Sequence, residues 1–301
     1  MRILISGGSG LLGREITKQL LSKKHEVAWL SRNPNKCPKG VLGFSWDPDQ
    51  MQIDKAAIDF ADAIINLAGA NIAKSWTPHY KNEILRSRVD GTRLLFNTVR
   101  ERGKALNSFV SASAVGYYPN SEEKTFSEED APGNDFLSLI CQKWEQEAQS
   151  FESLNIRTIR LRIGIVLDPK EGALAQMAAP LKFGLGAPLG NGGQWMPWIH
   201  RVDVAALFVS AVENSDFATG VYNAVGPENH RNKELTKILA KTLKRPLLLP
   251  PVPKFVLKIM LGEMSAIALA STKTSNEKVL RTGFQYQFKS LESALKDLYL
   301  A

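Results

Sequence analysis

The chain has 301 residues, 44% of them hydrophobic and 23% charged, an ordinary globular composition that suffices for one large core or two joined units. Its formal net charge is +8, with Lys and Arg scattered instead of gathered into runs. That fits a solvated basic surface or a phosphate-bearing small ligand, and it lacks the basic stripe with interleaved aromatics expected of a nucleic-acid binder. Cys37 and Cys141 stand far apart in no metal-ligand or disulfide spacing, as expected in a reducing compartment.

Short apolar runs alternate with amphipathic stretches along the first two thirds of the chain. Arg2–Ser6 reads as a strand, Leu11–Lys23 as a helix and Glu26–Leu30 as a second strand. Ala63–Leu67 is a further strand, followed by a long helical stretch from about Pro78 to Arg102. Ser108–Ala112 is a strand, Asp135–Phe151 a helix with Asp135 as its N-cap, and Arg157–Arg162 a strand. This alternation predicts an α/β fold: a Rossmann doubly wound parallel sheet with helices on both faces.

After Ile163 the regularity breaks. "GLGAPLGNGGQWMPWIH" is rich in Gly, Pro and Trp and reads either as a loop over a pocket or as a purely structural one. Asp203–Asn214 returns to helix and Val221–Ala224 to strand, and the tail from Asn229 is mostly helical. The predicted division is a nucleotide-binding unit of residues 1–163 plus 201–226 and a smaller, mostly helical substrate-capping unit of 164–200 plus 227–301. The apolar stretch "PLLLPPVPKFVLKIMLGEMSAIALA" is interrupted by Pro250, Pro251, Pro253, Lys254, Lys258 and Glu263, short of the ~20 clean apolar residues of a membrane span. The expectation is a cytoplasmic protein, monomer or homodimer, acting with a small molecule and without nucleic acid, membrane or metal.

Gly7, Gly10 and Gly13 give the spacing GxxGxxG between a strand and a helix. In that context the first Gly permits the tight turn, the second lets backbone approach a pyrophosphate, and the third lets helix pack on strand. The N–H groups of Leu11 and Leu12 open the helix toward the anion. The second strand runs out into Ser31 and Arg32, where an acid would select NAD; a hydroxyl and a guanidinium suit a 2′-phosphate, so NADP(H) is the predicted cofactor. Leu67, Ala68 and Gly69 at the end of a parallel strand suit close backbone approach to the same ligand, or tight packing alone.

These residues, with RVDGT at Arg88–Thr92, SASAVGYY at Ser111–Tyr118 and PWIHRVDVA at Pro197–Ala205, give a chain that resembles the extended short-chain dehydrogenase/reductase superfamily. More narrowly it resembles the atypical epimerase-family branch, similar to nucleoside-diphosphate-sugar epimerases, through "GNGGQWMPWIH" and "STKTSNEKVLRTGFQYQFKSLESALKDL". The resemblance covers essentially the whole chain. It implies a Rossmann sheet with a small C-terminal domain over the cleft, NADP(H) as cofactor, and Glu83 and Arg88 near that cofactor.

The superfamily's chemistry uses a Ser or Thr and a Tyr followed four residues later by Lys. The lysine's charge stabilises a phenolate whose free acid has a pKa near ~10. Ser113 fits the serine position. Aligned on Trp144–Glu145, the Tyr and Lys positions hold Leu137 and Cys141. None of the six tyrosines is followed at the fourth place by Lys. Tyr117 and Tyr118, close after Ser113, could point into the cleft as substitutes, or be packed aromatics; His200 could act as acid or base, or hold the domain junction with Asp203. Two functions follow: NADP(H)-dependent oxidoreductase or epimerase-like chemistry on a nucleotide-sugar-like or other carbonyl or hydroxyl substrate, or a non-catalytic NADP(H) sensor.

Overall fold

The computed structural model describes residues 1–300. Strands β1 (Arg2–Ser6), β2 (Glu26–Ser31), β3 (Val41–Asp47), β4 (Gln52–Ile53), β5 (Ala63–Asn66), β6 (Ser108–Ala114), β7 (Arg157–Ile163) and β8 (Gly220–Ala224) form one sheet. Their spatial order is β8-β7-β6-β5-β1-β2-β3-β4, parallel throughout except for the antiparallel β3–β4 pair at the edge. The order reverses between β1 and β5, so a crevice opens there at the carboxyl ends of the strands, where such sheets bind ligands. The central strands are apolar runs because helices cover both faces: Ile3, Leu4, Ile5, Ala63, Ile64 and Ile65 are all fully buried.

Strand β3 has no counterpart among the predicted elements. Its sequence, VLGFSWD, is interrupted by Gly43 and Ser45, which hides the strand pattern. The glycine is required by packing: a Cβ there would lie 2.7 Å from the carbonyl carbon of Pro34 and closer still to its oxygen.

Four helices matter for the site. Helix α1 (Leu11–Ser22) follows the glycine turn. Helix α2 (Pro78–Arg102) is delimited by its own sequence: Thr77 accepts from the Tyr80 N–H at 3.1 Å, Pro78 occupies the first turn, and Gly103 closes the other end at φ 59°. Helix α3 (Phe136–Gln149) starts at Asp135, whose carboxylate accepts from the Ser138 N–H at 2.9 Å. Helix α4 (Arg201–Glu213) is buried along most of its length and packs on α1.

Beyond the sheet, a separate apolar cluster gathers Leu167, Leu174, Leu181, Trp198, Leu235 and Leu295 from the segments after β7, before α4 and after β8. The Gly- and Trp-rich stretch is partly ordered into strands: Trp198–His200 pairs in parallel with Ile165–Leu167, and Trp195–Met196 pairs with His230–Arg231. The C-terminal segment is stitched back onto the first unit. Thr272–Thr274 runs parallel to Ser121–Phe126, and the Asp203 carboxylate accepts from the N–H groups of Gln287 and Phe288 at 2.8 and 3.1 Å.

His200 caps α4: its Nδ1 accepts from the Val202 N–H at 3.2 Å, which leaves the ring proton on Nε2, 3.4 Å from the Asp297 carboxylate. The ring is fully buried and lies 3.8 Å, centroid to centroid, from Phe288. Burial pushes the imidazole down to about 4 against the upward pull of Asp297 and Asp168, while neighbouring Arg201 lowers it further. The unfolded ring, with a pKa near ~6.5, therefore binds a proton in a pH range where the folded one does not. Stability from this group is complete above about pH 6.5 and is lost as pH falls toward 4, by at most about 3 kcal/mol at ~1.36 kcal/mol per unit. Urea unfolding of wild type and His200→Asn, which retains a capping side chain, should show a smaller loss between pH 7 and 4.5 in the variant; equal losses would assign the acid sensitivity elsewhere.

Candidate active site

The crevice is built around the glycine turn. Gly7 adopts φ +75°, and a Cβ there would sit 3.0 Å from the Ala68 nitrogen and the Leu67 carbonyl carbon. A Cβ on Gly13 would run into the carbonyl oxygens of Gly7 and Gly8, the latter at 2.5 Å. These two glycines let β1, α1 and the end of β5 approach as closely as they do. Gly10, the N-cap of α1, carries no side chain to satisfy the first amides of the helix. The opening N–H groups, with Leu11 and Leu12 half-buried beside them, therefore face the crevice as an anion-binding end.

The turn rests on a buried polar chain. Ser6 Oγ donates to Asn66 Oδ1 at 2.6 Å, and Asn66 Nδ2 donates to Thr92 Oγ1 at 2.9 Å and to Ser111 Oγ at 3.3 Å. Ser6 Oγ also accepts from the N–H groups of Leu67 and Ala68 at 3.2 and 3.3 Å. Polar side chains on three otherwise apolar strands thus bond one another, and Ser6 at the end of β1 fixes the start of the loop after β5. Thr92, of RVDGT, reaches the sheet from α2.

At the end of β2, Ser31 Oγ accepts from the Asn33 N–H at 3.0 Å, so its hydroxyl proton remains available for donation. Arg32 is exposed and has no carboxylate in ion-pair range among the described residues. On α2, Glu83 is exposed, whereas Arg88 turns inward. The Arg88 guanidinium donates to the carbonyls of Ala70 and Ile84 at 3.2 and 3.1 Å and lies 5.2 Å from the Trp144 ring. It fills the space under Gly69, where a Cβ would come within 2.9 Å of its central carbon. Burial lowers its pKa from the ordinary arginine value, offset by Cys141 and Tyr80.

Ser113, at the end of β6, is buried and donates to Glu145 Oε1 at 2.6 Å. Glu145 comes from α3 and is held by a two-pronged pair: Arg162 Nε to Oε1 at 2.8 Å and Arg162 Nη2 to Oε2 at 2.9 Å. Arg162 continues the chain, donating to the Tyr118 hydroxyl at 2.9 Å, which in turn donates to Asn223 Oδ1 at 2.7 Å. Burial opposes the arginine's charge, but hydrogen bonding and proximity to Glu145 outweigh it and hold Arg162 above the usual range. Tyr118 is pushed up to about 12, chiefly by burial, so it stays a neutral phenol.

Tyr117 stacks on this pair, its ring centroid 3.4 Å from the Arg162 guanidinium carbon and edge-on to Tyr118. Leu137 and Cys141 lie on the face of α3 toward β6 and the Val115–Tyr117 turn. The Cys141 thiol is raised to about 12, by burial first and then by Glu145, so at neutral pH it remains protonated. Ser113, Leu137 and Cys141, with the Val115–Tyr117 turn, thus lie along one side of α3; His200 has none of them among its hydrogen-bond or ring partners.

Sequence reasoning did not find Glu145, Arg162, Tyr118 or Asn223 as one network, nor the Ser6–Asn66–Thr92 chain. One signal was available: "RTIRLRI" places Arg160 and Arg162 in a central strand, and a charge there needs a partner. A small cavity of about 70 Å³ lies beside Leu137, between Trp76, Phe136 and Ala270. A larger recess of about 320 Å³ is built from α4 and residues 282–285, with none of the groups above on its wall.

Residues 3–226 match the NAD dependent epimerase/dehydratase family, and residues 252–298 match a domain of unknown function, DUF1731. The chain is 36% identical over 299 residues to the epimerase family protein YfhF of Bacillus subtilis, covering 99% of this chain and 98% of that one. The crystal structure of the human epimerase family protein SDR39U1, isoform 2, with NADPH is similar at 30% identity and a TM-score of 0.86, covering 100% and 99% of the two chains. A nucleoside-diphosphate sugar epimerase from Corynebacterium glutamicum is similar at 26% identity and a TM-score of 0.81, over 100% of this chain and 58% of that one. The chain belongs to the NAD dependent epimerase/dehydratase family, with the Rossmann sheet of the extended short-chain dehydrogenases and a partly helical C-terminal portion.

Proposed function

We propose that this chain binds NADP(H) across the carboxyl edge of β1, β2 and β5 and uses it in oxidoreductase or epimerase-like chemistry on a carbonyl or hydroxyl small molecule. The observation that carries the reading is the glycine turn, where Gly7 and Gly13 have no room for a side chain and Gly10 leaves the amides of α1 without a side-chain cap. A pyrophosphate fits that place because it supplies the acceptors these amides need. The NADPH in the human relative's structure supports the same cofactor here.

Ser31 and Arg32 would hold the 2′-phosphate, one through its free hydroxyl proton and the other through an unpaired guanidinium. Leu67, Ala68 and Gly69 would form the backbone floor, and Arg88 with Glu83 the α2 side of the cofactor site. When bound, the nicotinamide exchanges a hydride with a substrate carbon. Ser113, its own proton committed to Glu145, would meet the reacting oxygen as an acceptor, which suits the hydroxyl form of the substrate pair, alcohol substrate or alcohol product. We place residues 164–200 and 227–301 as the capping unit over this cleft, supported by the separate apolar cluster there.

A second reading, an NADP(H) sensor without turnover, is favoured by Leu137 and Cys141, neither of which moves a proton at neutral pH. NADPH oxidation measured against carbonyl compounds and nucleotide sugars separates the two: consumption supports the enzyme, and inertness across the panel with intact cofactor binding supports the sensor. By calorimetry, Arg32→Ala should weaken NADPH by about 10- to 100-fold, the loss of one charge-assisted contact, and leave NADH nearly unchanged. Equal affinity of the wild type for the two cofactors would refute the phosphate contact. Ser113→Ala should keep NADPH affinity within about twofold and lower kcat/KM by about 10- to 100-fold, since one hydrogen bond to the reacting oxygen is lost; unchanged turnover would make Ser113 a structural residue.

A further inference from the structure

The cavity beside α3 has a chemistry of its own. Trp76, Gly116, Phe136, Leu137, Ala266 and Ala270 supply its apolar wall. The Trp76 and Phe136 rings meet edge to face at 5.1 Å, and Met264 packs against the same cluster. Leu137 takes the place at which the family relay would present a phenol. Most of the polar side chains on the wall are already engaged: the Tyr118 hydroxyl with Arg162 and Asn223, Asn120 Oδ1 with the Ser271 N–H at 2.8 Å, and the Asp135 carboxylate with the Ser138 N–H. Asp135 is the one charged side chain lining the cavity, and its sign is the same as that of a phosphate.

We infer that the substrate side of this cleft takes a small, uncharged aldehyde or ketone with a short alkyl body, and not a nucleotide sugar; the hydride of NADPH goes to the carbonyl carbon, a proton from solvent water goes to its oxygen, and NADP⁺ and the alcohol are released. The inference rests on the NADP(H) reading above. Size points the same way as polarity. An apolar cavity of ~150 Å³ accommodates benzene, and one water accounts for ~30 Å³ of liquid. A space of about 70 Å³ therefore holds about three or four carbon atoms, far less than a sugar diphosphate. The wall residues Ala266 and Ala270 come from the Ser265–Leu269 helix and the turn after it, so the C-terminal segment sets the cavity's depth.

The test uses the full chain and starts with calorimetry of NADPH; failure to bind would overturn the cofactor reading and is seen before any substrate is added. With NADPH bound, its oxidation is followed with propanal, butanal, pentanal, octanal and UDP-glucose. The expected result is kcat/KM rising about fourfold per methylene up to the length that fills the cavity and falling at octanal, with UDP-glucose unused. Preference for UDP-glucose, or indifference to alkyl length, would overturn the inference. If no compound is consumed, saturation-transfer NMR of butan-2-one with the NADP⁺-loaded protein decides: a signal abolished by Ala270→Phe upholds the pocket, and no signal overturns it. Ala270→Phe should lower kcat/KM for butanal at least tenfold with NADPH affinity within about twofold. Should that variant not fold, Leu137→Asn is expected to do the same by placing an amide in the apolar wall.

Discussion

A carboxylate and a guanidinium, Glu145 and Arg162, meet where α3 lies across the central strands, and the geometry on the substrate side of the crevice follows from that pair. Each would be costly to bury alone, by several kcal/mol even after relaxation. Together they form two parallel hydrogen bonds and have further partners, Ser113 for Glu145 and Tyr118 for Arg162. The pair fixes how far α3 stands from β6 and β7. It thereby sets where Leu137, Cys141 and Ser113 lie relative to one another. It also takes the Ser113 proton, a different arrangement from a serine whose hydroxyl is free to donate to a carbonyl oxygen.

The two sides of the crevice contrast in how their polar groups are used. On the cofactor side, polar groups are left open: amides at the start of α1, the Ser31 proton and the Arg32 guanidinium. On the substrate side, most are closed on one another, and what remains at the surface of the cavity is largely apolar. On the proposed reading, such a site would hold a charged nucleotide by hydrogen bonds and leave the second ligand to shape and desolvation.

The parallel-sheet half was legible because its signals are local. The glycine spacing, the apolar strands and the caps of α2 and α3 each depend on residues within a few positions of one another. Strand β3 was hidden by Gly43, whose reason is a contact with Pro34 from outside the strand. The Glu145–Arg162 network was hidden for a related reason: its members come from α3, β7, β8 and the segment after β6, and only the fold brings them within 3 Å. The absence of Tyr and Lys from α3 could be read in the chain itself, because i and i+4 on one helix are a local relation. What surrounds Leu137 could not, since Met264 and Ala270 lie more than a hundred residues further along.

That last separation bears on biosynthesis. The eight strands of the main sheet are complete by Ala224, and the glycine turn with them. The cavity's outer wall and the Thr272–Thr274 strand that fastens it to Ser121–Phe126 come from residues made some forty positions later. A ribosome-bound chain can therefore complete its sheet and glycine turn while the neighbouring cavity still lacks a wall and lies open to water. Arrival in this order leaves the Leu137 side of α3 uncovered until the segment that packs against it has been made.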